Sequence, residues 1–215
     1  LSGTSVTSGT YVTALGFEAL ASSSNYSNIV GVGSSTSVTG SNQVQLGDAS
    51  TTTYAYGSVQ NRSDERDKTE IKDTGLALDF ILAWRPRDFK WDMREDYRTP
   101  APTKPLRDDY ETQEAYEQAI SAWNVDFAAW KEASKLANIT HDGTHTRTRY
   151  HHGLIAQEVK QTMDAMDVDF GGYQDHSLKG GDAVLSIGYE ELVAPLIKAI
   201  QELKAEFDEY KRTHP

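Results

Sequence analysis

The composition of the chain changes abruptly at Ser63. Residues 1–62 contain only three charges, Glu18, Asp48 and Arg62, and about half of that segment is Ser, Thr or Gly. Those three charges sum to −1, so −10 of the total −11 lies in the rest of the chain. A segment so poor in charge and bulk is either a flexible linker or a repetitive β-structure. Its spacing favours the repeat. Three short steps end in glycine: Ala14-Leu15-Gly16, Gly31-Val32-Gly33 and Gln45-Leu46-Gly47. The glycines fall 17 and then 14 residues apart, and Asn28-Ile29-Val30 and Asn42-Gln43-Val44 precede the last two steps. Stacked β-coils keep such a period because one coil cannot bury its apolar edge alone. Glycine supplies the corners and Thr and Val suit the strands. One such layer has too little core to stand alone, whereas three chains winding together have enough.

The second part alternates helix and strand signals. Residues 74–84 carry apolar side chains at helical spacing, and Arg85-Pro86 ends them. Asp88 to Trp91 and Arg147 to Ile155 are strand candidates that could pair. Between them, residues 94–146 form an insertion with a proline-rich start at Pro100, Pro102 and Pro105. One helix is predicted over Tyr110 to Ala137, with Tyr116, Ala119, Ile120, Trp123, Phe127 and Trp130 on one stripe. That stripe is either a packed helix face or a sugar-binding aromatic row. A last helix is predicted over Tyr189 to Arg212, with Pro195 at a first-turn position or a kink. Its stripe of Leu192, Leu196, Ile200, Leu203 and Phe207 suits either partner helices or the chain's own core. The fold class is therefore α+β: a β-repeat over 1–62, then a mixed domain over 63–215 with a hairpin insertion and a C-terminal helix.

With 38% hydrophobic and 25% charged residues, the 215-residue chain has the composition of a soluble protein with a real core. No apolar run approaches the roughly 18 residues of a membrane span. The opening Leu1-Ser2-Gly3-Thr4 lacks a signal-peptide pattern and suggests a fragment of a longer chain. Without cysteine there are no disulfides or thiolate metal sites. The acidic balance argues against nucleic acid or an anionic membrane as partner.

The chemistry concentrates in Ser63-Asp64-Glu65-Arg66-Asp67-Lys68-Thr69-Glu70-Ile71-Lys72, where the repeat stops. A serine hydroxyl becomes a nucleophile when a base takes its proton. A lysine is such a base only when neutral, a form that burial favours. A spacing of five lets the chain turn and bring amine to hydroxyl. By itself that spacing carries almost no signal, and in so polar a stretch it describes a solvated turn.

Two further blocks accompany it: Gly153-Leu154-Ile155-Ala156-Gln157-Glu158-Val159, and Tyr189-Glu190-Glu191-Leu192 followed by Pro195 to Leu203. Together the three resemble the intramolecular chaperone auto-processing domain of the endosialidase type. That domain ends phage tail spikes, tail fibres and neck appendages, and the resemblance covers most of Ser63 to Leu203. Asp67 stands where the family usually has an apolar residue. The resemblance implies a homotrimer that holds upstream stalk chains in register and then cuts itself off. Ser63 carries over as nucleophile and Lys68 as general base. Gln157 and Glu158 would lie near the cut, orienting Lys68 or bonding the oxyanion. Asp64, Arg66 and His152 are weaker candidates. The bond cut is Arg62–Ser63, by an acyl shift from N to O, or the bond after Ser63. The family setting implies a virion protein whose chaperone is made in the host cytoplasm and shed. A host-surface glycan would be met through the fibre.

Other features give less. His141, His145, His151 and His152 crowd one region without a metal-ligand spacing, and no metal or cofactor is expected. Asp164, Asp167 and Asp169 lack the calcium-loop glycine and predict a solvated turn. Gly171-Gly172 and Gly180-Gly181 predict a flanked loop, not a phosphate cradle. A rival reading is a non-cleaving trimerisation or host-receptor-binding tip. Related domains also cut membrane-tethered transcription factors, but this sequence has neither a basic DNA-binding region nor a span.

Overall fold

A computed structural model describes residues 9–20 and 26–214. The start of the expected β-repeat at residues 1–8, its stretch 21–25 and Pro215 lie outside the described residues. The protein is α+β. It divides into two compact units, Leu1–Asp88 with His152–Pro215, and Phe89–His151.

The first unit opens with three four-residue strands, β1 (Val12–Leu15), β2 (Ile29–Val32) and β3 (Gln43–Leu46). They form a parallel sheet in the order β1-β2-β3, in which Leu15, Val32 and Leu46 lie in register. The period seen in the sequence is thus a stack of coils with matching corners. Tyr11, Asn28 and Asn42, each just before a strand, take a left-handed conformation. Gly16, Gly33 and Gly47, each just after one, have positive φ. The corners are tied from coil to coil. Asn28 Nδ2 donates to Asn42 Oδ1 at 2.9 Å, and Gly33 N and Gly47 N donate to the Leu15 and Val32 carbonyls, both at 2.8 Å. Leu20, Tyr26, Ile29 and Val38 form the core of this layer, with Val12 and Ala14 packed against it.

Gly16 has φ +133°, and a Cβ there would lie 2.5 Å from the Gly33 carbonyl oxygen. Gly16→Ala is therefore expected to separate the first two coils at a cost of about 1–3 kcal/mol. Thermal denaturation should show a lower midpoint, and an unchanged midpoint would disprove the stacked corner.

The remainder of this unit has its own core of Phe80, Val159, Met163 and Phe170, with Leu76, Trp84, Leu154 and Ile187 against it. Helix α1 is shorter than the predicted 74–84 and spans only Leu78–Leu82. Thr74 Oγ1 accepts the Leu76 N–H at 3.1 Å, and that local turn holds the chain outside the helix. Its N-cap Ala77 has no side chain to offer; instead Glu202 reaches across to accept the Leu78 N–H at 3.1 Å. Strand β4 (Arg87–Phe89) follows and pairs with β5 (His151–Gly153), as their alternation suggests.

Helix α3 (Ala156–Met166) ends on Asp167 in the left-handed conformation, whose N–H donates back to the Met163 carbonyl. Residues 171–181, predicted as a loop, instead contain strand β6 (Tyr173–Asp175) and a 3-10 turn over His176–Lys179. Strand β6 pairs antiparallel with β7 (Leu185–Ile187). Helix α4 (Val193–Thr213) follows a 3-10 turn over Tyr189–Leu192. Pro195 sits in its first turn, where a missing N–H costs nothing. Among the described residues, no helix is long and apolar enough to cross a membrane.

The second unit is built around α2 (Gln113–Ala133), capped by Thr112, whose Oγ1 accepts the Ala115 N–H at 3.1 Å. Trp123, Phe127 and Trp130 stack with centroid separations of 4.8 and 5.3 Å. Trp123 Nε1 donates to the Pro102 carbonyl at 2.9 Å and Trp130 Nε1 to the Thr99 carbonyl at 2.8 Å. The stripe is thus a packed helix face, laid on the proline-rich segment. Tyr97 Oη fastens the turn at Gly143 by accepting the N–H groups of Gly143 and His145 at 3.1 and 3.2 Å.

Candidate active site

Every residue from 49 to 73 is solvent-exposed. Within that stretch the chain reverses at a short turn beside Ser63. Asp64 caps a single 3-10 turn over Glu65–Asp67, its Oδ1 accepting the Arg66 N–H at 2.9 Å. Lys68 N closes the turn by donating to the Glu65 carbonyl at 3.0 Å. That reversal places Lys68 Nζ 2.7 Å from Ser63 Oγ, in hydrogen-bond contact. A proton can pass between groups at this separation once the amine is neutral.

Charges brace the turn on both flanks. The Arg66 guanidinium grips Asp64, with Nη2 2.6 Å from Oδ2, and holds the Asp64 carboxyl below the usual carboxylate range. Arg62 Nε lies 2.7 Å from Asp67 Oδ2. Asp67 thus holds the residue that immediately precedes Ser63. Sequence reading gave it no such role, although two opposite charges five apart around a turn are a usable signal. Pairs this exposed are weak individually.

The other candidates lie elsewhere in the first unit. Glu158, in the first turn of α3, accepts two hydrogen bonds from Arg87: one from Nε at 3.1 Å and a closer one from Nη2. Arg85 adds a longer ion pair at 3.8 Å. Gln157 is exposed, and His152 Nδ1 is 2.6 Å from Asp88 Oδ1. Among the described residues, no hydrogen bond or ion pair joins Gln157, Glu158 or His152 to Ser63 or Lys68. Arg85 and Arg87 flank the helix-ending proline and were missed as Glu158 partners, because nothing local links them to residue 158. A groove of about 270 Å³ lies beside Glu158, lined by Trp84, Arg85, Leu154 and Met166 among others, and not by Ser63 or Lys68. The Ser–Lys pair therefore sits on an exposed turn, where the peptide bonds within easiest reach are its own. Among the described residues, no group of three His, Asp or Glu is placed to hold a metal ion.

The hydrogen bond from Arg87 holds the Glu158 carboxyl below its ordinary value. A depressed folded value means stability that is fully present above the unfolded value, about pH 4.3, and lost as pH falls through the lowered one. Glu158→Gln should therefore lower the melting temperature at pH 7, and the gap from the parent should narrow as the pH falls below about 4.3. A gap that is constant with pH would show that the ion pair contributes nothing.

No family model, curated protein or solved structure matches the chain.

Proposed function

We propose that residues 63–215 are an intramolecular chaperone of the phage tail-spike and tail-fibre kind. It gathers three chains, lets the β-repeats stack in register, and then cuts the chain beside Ser63. The observation that carries this reading is the 2.7 Å contact of Lys68 Nζ with Ser63 Oγ, in an exposed turn that an irregular segment separates from a parallel β-repeat.

Neutral Lys68 takes the Ser63 hydroxyl proton, and Oγ attacks the carbonyl carbon of Arg62. The Arg62–Ser63 C–N bond breaks as Lys68 returns the proton to the departing nitrogen, leaving an ester. Water then hydrolyses the ester to the Arg62 carboxylate and the free Ser63 hydroxyl. The alternative cut, after Ser63, shifts one serine residue from one fragment mass to the other.

Two exposed apolar rows support assembly with further copies. Leu15, Val32 and Leu46 stand in register on the β-repeat, and Leu196, Ile200, Leu203 and Phe207 line α4. Contiguous apolar surface of this kind marks interaction sites. A trimer closing over residues 49–73 would also dehydrate the Lys68 amine and favour its neutral form. Cutting is then coupled to assembly. The physical benefit is kinetic. Interleaved strands have high contact order and fold slowly, a trimeric base raises their local concentration, and its removal closes the route back.

The test is the intact mass of freshly purified protein together with its oligomeric state. The expected result is a trimer whose chains are divided beside residue 63, and an uncut monomer at high dilution. A stable trimer of whole chains would instead make the domain a non-cleaving assembly or host-binding tip.

A further inference from the structure

The β-repeat and the C-terminal part of the first unit keep separate apolar cores. What joins them is a polar seam. Tyr26 Oη donates to Asp182 Oδ1 at 3.0 Å, and Asp182 N donates to the Thr39 carbonyl at 2.6 Å. Thr39 Oγ1 lies 2.5 Å from His176 Nδ1, and Gln43 Nε2 lies 3.3 Å from the same nitrogen. The far side of that ring is fixed to β7, with Nε2 2.9 Å from Ser186 Oγ. Gly181 permits the approach, since a Cβ there would lie 2.4 Å from the Thr39 carbonyl oxygen. Tyr26 is only 9% exposed, so its hydroxyl enters the seam from a buried ring.

The seam residues divide cleanly around the exposed stretch 49–73. Tyr26, Thr39 and Gln43 precede it; His176, Gly181, Asp182 and Ser186 follow it. A break anywhere in that stretch cuts the covalent link and none of these bonds. We propose that the seam is a non-covalent latch between the two pieces of a broken chain. Cleavage beside Ser63 then does not by itself release the C-terminal piece; opening the seam does. The cleavage clause rests on the self-processing reading above, but the latch stands without it. A second tie, Asn61 Nδ2 to Glu190 Oε2, is exposed and adjoins the break, so it contributes little once the chain is cut.

The test makes the break from outside. The full chain carries Ser63→Ala to silence any self-processing and a recognition sequence for a site-specific protease inserted after Gly57, which has open space around it. After digestion, native size exclusion is followed over a dilution series and each fraction is resolved on a denaturing gel. The two pieces are expected to co-elute. In a Gly181→Ala/Asp182→Ala background their apparent dissociation constant should rise at least tenfold, about 1.4 kcal/mol. Tyr26→Phe with Gln43→Ala leaves the backbone seam intact and should give a smaller rise in the same direction, which keeps the test open if the glycine variant does not fold. Circular dichroism of the uncut variants checks folding. Pieces that separate on cutting while both stay folded would overturn the latch. So would pieces whose affinity ignores all four substitutions. Neither outcome depends on whether Ser63 cleaves.

Discussion

Ser63→Ala is expected to leave the chain at full mass under conditions in which the parent divides beside residue 63. The loss should be complete on any practical timescale, because removing a nucleophile lowers catalysis by several orders of magnitude. Among the described residues, no other hydroxyl hydrogen-bonds Lys68 Nζ. Lys68→Ala removes the proton acceptor, and a positioned base typically contributes ~10²–10⁴-fold, so cleavage should slow by about that factor or stop. Lys68→Arg retains the positive charge and the reach, but the guanidinium has no accessible neutral form and should fail equally. That third variant separates proton transfer from simple bracing of the turn. If Arg at position 68 cleaves normally, the lysine is structural. If the alanine variant at 63 still divides at the same bond, the serine is not the nucleophile.

Phe80→Ala is expected to have the largest effect on stability. Phe80 is 1% exposed and meets Trp84 and Phe170 edge-on, with ring centroids 4.5 and 5.7 Å away. It lies on α1, a five-residue helix held by packing against α4 and by the Glu202 carboxylate. So short a helix has little stability of its own and depends on this side chain. Truncation removes the transfer energy of the ring and leaves a cavity, at about 3–5 kcal/mol. For a chain of this size the midpoint of thermal unfolding should fall on the order of 10 °C. A fall of only a degree or two would mean that the Phe80 cluster is not the centre of the C-terminal core.

Much of this architecture was legible in advance where a pattern repeats or a periodic stripe is long. The glycine spacing foretold the stacked coils because every coil must turn at the same corner, and only a residue free at positive φ turns there cheaply. The long helices α2 and α4 carry enough turns for their stripes to be counted. The Ser63–Lys68 contact was legible because it is local: a single turn bridges five residues, and the capping Asp64 lies within the motif itself.

The rest depended on partners far away in sequence. Strands β6 and β7 have three residues each, and their pairing comes from a hairpin that closes on the core, not from any local preference. Helix α1 shrank because Thr74 competes for the backbone and because its cap arrives from α4. Glu158 takes Arg85 and Arg87 as ion-pair partners, which only the fold brings to it. The Tyr26–Asp182 bond spans 156 residues. By itself, then, the sequence determined the coil period, the main helices and the serine–lysine spacing, all of which are set by steric and hydrogen-bond rules acting within a few residues. Only the tertiary structure decided which charges meet, which short strands pair and how the two halves of the chain are joined. Those outcomes follow from distances between segments that local rules do not constrain.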